Sequence, residues 1–345
     1  MKVIKGIFLV GALCFLCSCT KKAEKKEIID IAGDTVLIPV NPSKVVARTA
    51  NSTSFMVAMG MKDKIVGTMD AIAANTWSKK FMSNIDEIPS YHWEPSIESL
   101  YEVDTDFVLL ADPSICREFR SKGITAITYK QYSSEEIVKS VHLLGDIFGE
   151  DAKKFGEEWL EYYNDTLTSI NNHIKDIDYE DRSGVYYIYG QANKGIYRST
   201  GGNTINDEMI KLAGGRNVLE NYSSSITKFT AEEVLNTNPD YIFVGGVYQN
   251  LFIEQLYDEE VWKEKEAIKK EQVYNIPLGF IPWDLYGVEF PLLLKYMCNK
   301  MYPDYQFDII PETKAFMKKF YQIDLTDEEI QYMIKGLDEN GERYY

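Results

Sequence analysis

One uninterrupted apolar stripe constrains this chain more than any other feature. No proline occurs between Pro113 and Pro239, and within that window apolar residues fall at Ala152, Phe155, Trp159, Tyr163, Leu167, Ile170, Ile174 and Ile177. Steps of three and four residues place them all on one face of a helix. A helix over residues 150–177 spans about 42 Å at about 1.5 Å per residue. That is longer than a helix covering one small sheet, and it is read here as a strut joining two lobes.

The segments on either side of the stripe alternate between two periods. Before it, the short apolar runs Lys44–Ala47, Ile65–Gly67 and Phe107–Leu110 read as buried strands, with helices at Ser54–Met59, Ser96–Tyr101 and Ser134–Phe148. After it, Val185–Tyr189 and Tyr241–Val244 read as strands. Asn203–Ala213, Thr230–Leu235, Asp284–Met301, Glu312–Tyr321 and Thr326–Ile334 read as helices, with Pro291 early in its helix and Thr326 capping the last. Strands alternating with helices predict parallel sheets covered on both faces. The expected fold is α/β: two Rossmann-like lobes with central sheets, joined by one long rigid helix, with a ligand cleft between them. Boundaries are placed at 34–149 for the first lobe, 150–177 for the helix and 178–345 for the second lobe with its terminal helices. A chain of 345 residues fits about two such units. No disulfide framework is needed at this size, so Cys116 and Cys298 are expected as separate, buried thiols.

The N-terminus carries an address. Lys2 and Lys5 precede an apolar run from Ile7 to Leu16, which ends in Leu16-Cys17-Ser18-Cys19. The run is too short to span a bilayer, which takes about 20 residues. It reads as a signal peptide over 1–18 ending in a lipobox, with cleavage before Cys19 and lipid attached to that sulfur. The protein is then extracytoplasmic and tethered to the cell membrane by lipid alone. Residues 19–33, polar and charged, read as a flexible tether. A net charge of −16 opposes nucleic acid and anionic lipid as partners.

Several phrases, in order, carry a family likeness. They begin with Asp34-Thr35-Val36-Leu37-Ile38-Pro39 and Pro42-Ser43-Lys44-Val45-Val46, followed by Gly60-Met61-Lys62-Asp63-Lys64-Ile65-Val66-Gly67. Pro95-Ser96-Ile97-Glu98-Ser99-Leu100 then leads to Asp106-Phe107-Val108-Leu109, with Asp104 and Thr105 in place of the usual proline. The element recurs as Thr230-Ala231-Glu232-Glu233-Val234-Leu235 with Asn238-Pro239-Asp240-Tyr241-Ile242. The tail carries Tyr302-Pro303-Asp304 and Phe320-Tyr321-Gln322-Ile323-Asp324-Leu325-Thr326. Together they resemble the substrate-binding lipoproteins of ABC importers for iron–siderophore complexes, haem and cobalamin. The resemblance implies a monomer without catalytic residues or a cofactor of its own. It would hold a small ligand between lobes that move little, and hand it to an ABC permease dimer driven by its ATPase. By motif position, Glu98 and Glu232 would dock onto permease arginines.

The cleft should be lined by loops at the C-terminal ends of strands. Arg48, Asn51 and Ser52 sit on the first such loop, and Arg198, Ser199 and Thr200 on the segment expected to face it. An arginine on each, out of seven in the chain, points to an anionic iron chelate. Trp77, Tyr91, Trp93, Tyr248, Phe280, Trp283 and Tyr286 fall in predicted loops, where flat rings suit a macrocycle, siderophore or sugar. Tyr248, Phe280 and Trp283 are expected as cleft walls of the second lobe, and Trp77, Tyr91, His92 and Trp93 as those of the first. Three histidines are too few for bare-metal capture, so no protein metal site is expected and any metal arrives inside a chelate. Cobalamin or an oxyanion such as molybdate is the alternative ligand. A lipid-anchored glycan-binding protein or hydrolase is the alternative class, although no G-x-S-x-G or H-E-x-x-H occurs.

Overall fold

The computed structural model describes residues 24–190, 195–222 and 225–344. The signal peptide, the lipobox with Cys19 and the first part of the expected tether lie outside the described residues. Lys25–Ile29 (β1) and Thr35–Pro39 (β2) pair as an antiparallel hairpin. Val45–Ala47 (β3), Ile65–Met69 (β4), Ser90–Tyr91 (β5), Phe107–Leu110 (β6) and Ala126–Thr128 (β7) form a wholly parallel sheet in the order β5-β4-β3-β6-β7. In the second half come Gly184–Ile188 (β8), Arg198–Thr200 (β9), Arg216–Asn217 (β10), Ile226–Lys228 (β11), Tyr241–Val244 (β12) and Val273–Asn275 (β13). Of these, β10-β8-β12-β13 make a second parallel sheet, while β9 and β11 pair antiparallel on their own.

Both parallel sheets reverse strand order beside their first strand. The chain passes from β3 to β4 on one side and later to β6 on the other; likewise from β8 to β10 and later to β12. Each sheet therefore has a topological switch point, where a crevice opens at the strand ends. Alternate side chains of each sheet divide between two cores. Val45, Ala47, Phe107 and Leu109 of the first sheet, with Val185, Tyr187 and Phe243 of the second, enter one shared core. Val46, Val108 and Leu110 face a smaller cluster in the first lobe, and Tyr186, Ile188, Ile242 and Val244 a smaller one in the second. Cys116 and Cys298 are free, buried thiols in separate cores, and burial pushes them up to about 11 and about 12.

The long helix is present and unbroken over Glu150–Ile174. Gly149, at φ 92, separates it from the helix Ser134–Phe148. It ends one turn before the apolar stripe does, where Asp176 and Asp178 would place negative charge at a helix C-terminus. Ala152, Trp159, Tyr163, Ile170 and Ile174 are buried, and Phe155, Leu167 and Ile177 half-buried. Trp159 shows how the helix relates to the lobes. Its ring meets Phe55 edge-on at 5.0 Å in the first half, and its Nε1–H donates to the Val288 carbonyl at 2.9 Å in the second. The helix thus joins the two lobes through the core that both sheets share.

Two boundary expectations need correction. Lys25–Ile29 is a strand, not a flexible tether. As an edge strand it exposes most of its side chains and so reads as polar, but Ile28 is buried and the Lys26 ammonium donates to the Asp146 and Ile147 carbonyls at 2.6 and 2.9 Å. The C-terminal segment, assigned to the second lobe, also binds the first. Tyr321 shares a hydrogen bond with Ser54 (2.7 Å), Trp77 donates to the Leu337 carbonyl (2.8 Å), Tyr344 donates to Asn75 (2.8 Å), and Lys80 pairs with Glu329. The region expected as one helix from Asp284 is a short 3-10 turn, Trp283–Leu285, followed by the helix Phe290–Met301 with Pro291 in its first turn. Among the described residues, no helix is long and apolar enough to cross a membrane.

At this junction Glu289 is wholly buried. Its Oε1 accepts from the Phe280 N–H at 3.0 Å and its Oε2 from the Tyr321 hydroxyl at 2.9 Å. Burial pushes the carboxyl from 4.5 up to about 7. A raised folded-state value means the fold prefers the protonated acid. The stability linked to that preference is full below pH 4.5 and is lost as pH rises through 7. Glu289→Gln is expected to match the wild type at pH 4 and exceed it by about 3 kcal/mol at pH 8, read from urea melts. Asp284, raised to about 6, adds a slope of the same sign, so the measured quantity is the mutant minus wild-type difference. A difference that does not change with pH would refute the assignment.

Candidate functional site

The two switch points face one another across a cleft with two adjoining cavities. The smaller, about 300 Å³, is lined by Arg48, Thr49, Ala50 and Asn51 after β3, Ala111 after β6 and Tyr129–Tyr132 after β7, with Tyr189, Asn206 and Asp284 opposite. The larger, about 520 Å³, lies between Asp70, Ala71 and His92 of the first lobe and Tyr187, Gly190, Gly246 and Tyr248 of the second. Met69, Tyr189, Asp284 and Leu285 line both. Six tyrosines, at 129, 132, 187, 189, 248 and 286, make the walls aromatic with polar tips. Thr49 caps the helix Ala50–Ala58, accepting from the Ser52 N–H, so this helix begins at the cleft wall.

The charges of the cleft are largely spent within the protein. Arg48 donates from Nε to the Trp93 carbonyl at 2.9 Å and from Nη2 to the His92 carbonyl at 2.6 Å. Burial lowers its pKa, opposed by the nearby carboxylates of Glu94 and Asp70. Lys130 pairs with Glu136 at 2.6 Å, and the His92 ring meets Asp70 at 2.5 Å. Asp284 accepts from the Tyr187 hydroxyl at 2.7 Å, and burial pushes it up to about 6. Burial also raises Tyr187 and Tyr286 well above the ordinary phenol range, so both remain neutral donors. Among the described residues, no group of three or more His, Cys, Asp or Glu side chains converges as a metal site.

Of the expected ligand residues, Arg48, Asn51, His92 and Tyr248 line the cleft. The others are elsewhere. The segment with Arg198, Ser199 and Thr200 is not a loop but strand β9; Ser199 and Thr200 are buried, with the Ser199 hydroxyl on the Tyr187 carbonyl at 2.5 Å. Arg198 stands over the Tyr189 ring at 5.4 Å and supports that wall from outside the cavity. Ser52 is buried, its hydroxyl donating to the Thr49 carbonyl at 2.9 Å. Trp77 is fully buried. Phe280 and Trp283 are buried too, Phe280 packing on Phe81 at 5.7 Å; their neighbours Pro282, Asp284 and Leu285 reach the cleft instead. Tyr91 packs against the small first-lobe core. Trp93 is 73% exposed and meets His92 edge-on at 4.8 Å. Large apolar loop residues fill cores as readily as they line clefts, and here most of them do. Missed in the sequence were Tyr129–Tyr132, Tyr187, Tyr189, Asn206 and Asp284. The strand-end rule, applied to the residues directly after Thr128 and Ile188, would have found most of them.

A family model described as "Periplasmic binding protein" matches residues 45–278, a stretch that contains both parallel sheets and most of the cleft lining. The chain belongs to the periplasmic binding protein family. Over 330 residues it is 23% identical to the uncharacterized ABC transporter substrate-binding lipoprotein YvrC of Bacillus subtilis, covering 88% of this chain and 99% of that protein. The high-affinity heme uptake system protein IsdE of Staphylococcus aureus is 23% identical over 198 residues, which cover 54% of this chain and 65% of IsdE. The fold matches that of the molybdate periplasmic binding protein MolA of Haemophilus influenzae with a TM-score of 0.75 at 18% identity, covering 87% of this chain and 99% of MolA. This periplasmic binding protein thus shares its fold with MolA over most of both chains.

Proposed function

We propose that the protein captures a bulky iron chelate, a siderophore or haem, outside the cytoplasm and delivers it to an ABC permease, while lipid on Cys19 holds it at the membrane. The observation that carries this reading is the tyrosine-walled cleft between the two switch points. Its larger cavity alone measures about 520 Å³, far more than a bare ion or an oxyanion fills. Aromatic rings with hydroxyl tips offer flat apolar contact and hydrogen bonds to the same guest. The role of IsdE in heme uptake supports an iron complex, and the name of YvrC supports a lipid anchor. Binding needs no chemistry from the protein: the guest enters from solvent and docks between the lobes. It is released when the lobes engage the permease.

The test is tryptophan-fluorescence titration of the purified protein with ferrioxamine B, ferric enterobactin, ferric citrate, haemin, cyanocobalamin and molybdate. At least one iron complex is expected to bind with a Kd below about 1 μM, equivalent to about 8 kcal/mol. Tight binding of cobalamin or molybdate with none of the iron complexes would overturn the ligand assignment and leave the transport role in place.

A further inference from the structure

The deep wall of the cleft carries the opposite charge to the one its arginines were expected to supply. Asp284 lies where the two cavities meet, 4% exposed. Tyr187 holds its Oδ2, whereas its Oδ1 has no hydrogen-bond partner. Gly245 makes room for this carboxylate, since a Cβ there would stand 2.0 Å from Oδ2. Two further wall side chains end the same way. Asn206 accepts from the Tyr286 hydroxyl at 2.8 Å through Oδ1 and leaves Nδ2 unpartnered; Gln131 donates from Nε2 to the Tyr129 hydroxyl at 3.3 Å and leaves Oε1 unpartnered. Both residues are buried. Unpartnered buried polar atoms occur elsewhere in the protein too, but these three belong to side chains that line the cleft, where a guest can pair with them.

Among the described residues, nearby cations do not offset Asp284. Arg48 faces Asp70 and Glu94 and is bonded to two carbonyls, and Lys130 is paired with Glu136. Among the described residues, each cleft cation has a protein acid beside it, whereas the side chain that holds Asp284 is a neutral tyrosine. A guest bringing more negative charge to this wall would meet an unneutralised carboxylate in a poorly hydrated place.

We infer that the cleft selects a neutral or cationic ferric chelate, seating an ammonium or N–H donor on Asp284 Oδ1 and a carbonyl oxygen on Asn206 Nδ2. This inference rests on the iron-chelate reading above. It favours hydroxamate chelates, whose peripheral amides are uncharged, over haem propionates, catecholates and citrate.

The decisive comparison is ferrioxamine B, which carries one free ammonium group, against its N-acetyl derivative, in which that group is a neutral amide. Acetylation is expected to weaken binding to the wild type on the order of tenfold, and to change binding to Asp284→Asn by less than about twofold. The wild-type comparison requires no variant to fold, and a thermal melt establishes that Asp284→Asn does. Equal affinity of the wild type for the two chelates overturns the inference. So does tight binding of haemin, ferric enterobactin or ferric citrate without ferrioxamine B, an outcome that leaves the iron-chelate reading standing. Failure of every iron complex to bind removes both.

Discussion

Gly190→Ala is expected to destabilise the protein by about 4 kcal/mol or more, at the upper end of single-residue effects, and to weaken ligand binding. A Cβ at this position would stand 1.7 Å from the Gly245 carbonyl oxygen and 2.8 Å from its carbon. The contact is reciprocal. Gly246, at φ 71, carries its own Cα within reach of Gly190, where an added Cβ would lie 2.1 Å from the Gly190 oxygen. What stands in the way is backbone on both sides, so no side chain can rotate to relieve the overlap, and the loops after β8 and β12 must separate. Gly190 and Gly246 both line the larger cavity, so separation deforms the site as well as the fold. Urea melts and a ligand titration on the same sample read both effects. A variant within about 0.5 kcal/mol of wild type would show that the two loops are not held in contact.

Glu98→Ala combined with Glu232→Ala is expected to abolish uptake of the ligand by cells while leaving the affinity of the purified protein unchanged. Both glutamates are exposed, and they occupy equivalent places. Glu98 is the second residue of the helix Ile97–Glu102, capped by Ser96; Glu232 is the second residue of Ala231–Leu235, capped by Thr230. Each helix precedes an inner strand of its sheet, β6 or β12. Backbone and Ser96 hydrogen bonds hold the Glu98 carboxyl below the usual carboxylate range, which keeps it ionised. Neither residue lines the cleft. Two fixed charges, one on each lobe, orient a partner that must meet both lobes at once. The measurement is transport of a labelled chelate by cells in which the variant replaces the native protein. Normal transport would exclude both residues from docking, whereas lost ligand affinity would assign them to the site.

Residues whose neighbours are close in sequence were the ones read correctly. Phe107–Leu110, Tyr241–Val244 and Ser134–Phe148 have the same bounds in the structure as in the sequence reading, because an apolar run or a helical stripe is a local pattern. Thr326 caps its helix as read, with Glu329 completing the capping box. The rule that ligands meet the ends of parallel strands pointed to Arg48 and Asn51, and both line the smaller cavity. Errors came where an aromatic residue had two possible destinations. Trp77 reads as a free loop aromatic until its indole is seen donating to Leu337, 260 positions away. Phe280 likewise depends on Asn75 and Ser78, more than 200 positions upstream, which both donate to its carbonyl.

The amino-acid sequence alone determined the α/β class, the unbroken helix at the centre and the likeness to importer binding proteins, because periodicity and motif order are written along one dimension. Only the tertiary structure decided which side chains line the cleft. Arg48 turns to the His92 and Trp93 carbonyls, Arg198 stays behind Tyr189, and Asp284 arrives at the junction of the two cavities. The physical reason is that a cleft wall is assembled from loops far apart in the chain. Whether a polar group there is spent or left open depends on partners that no local pattern names.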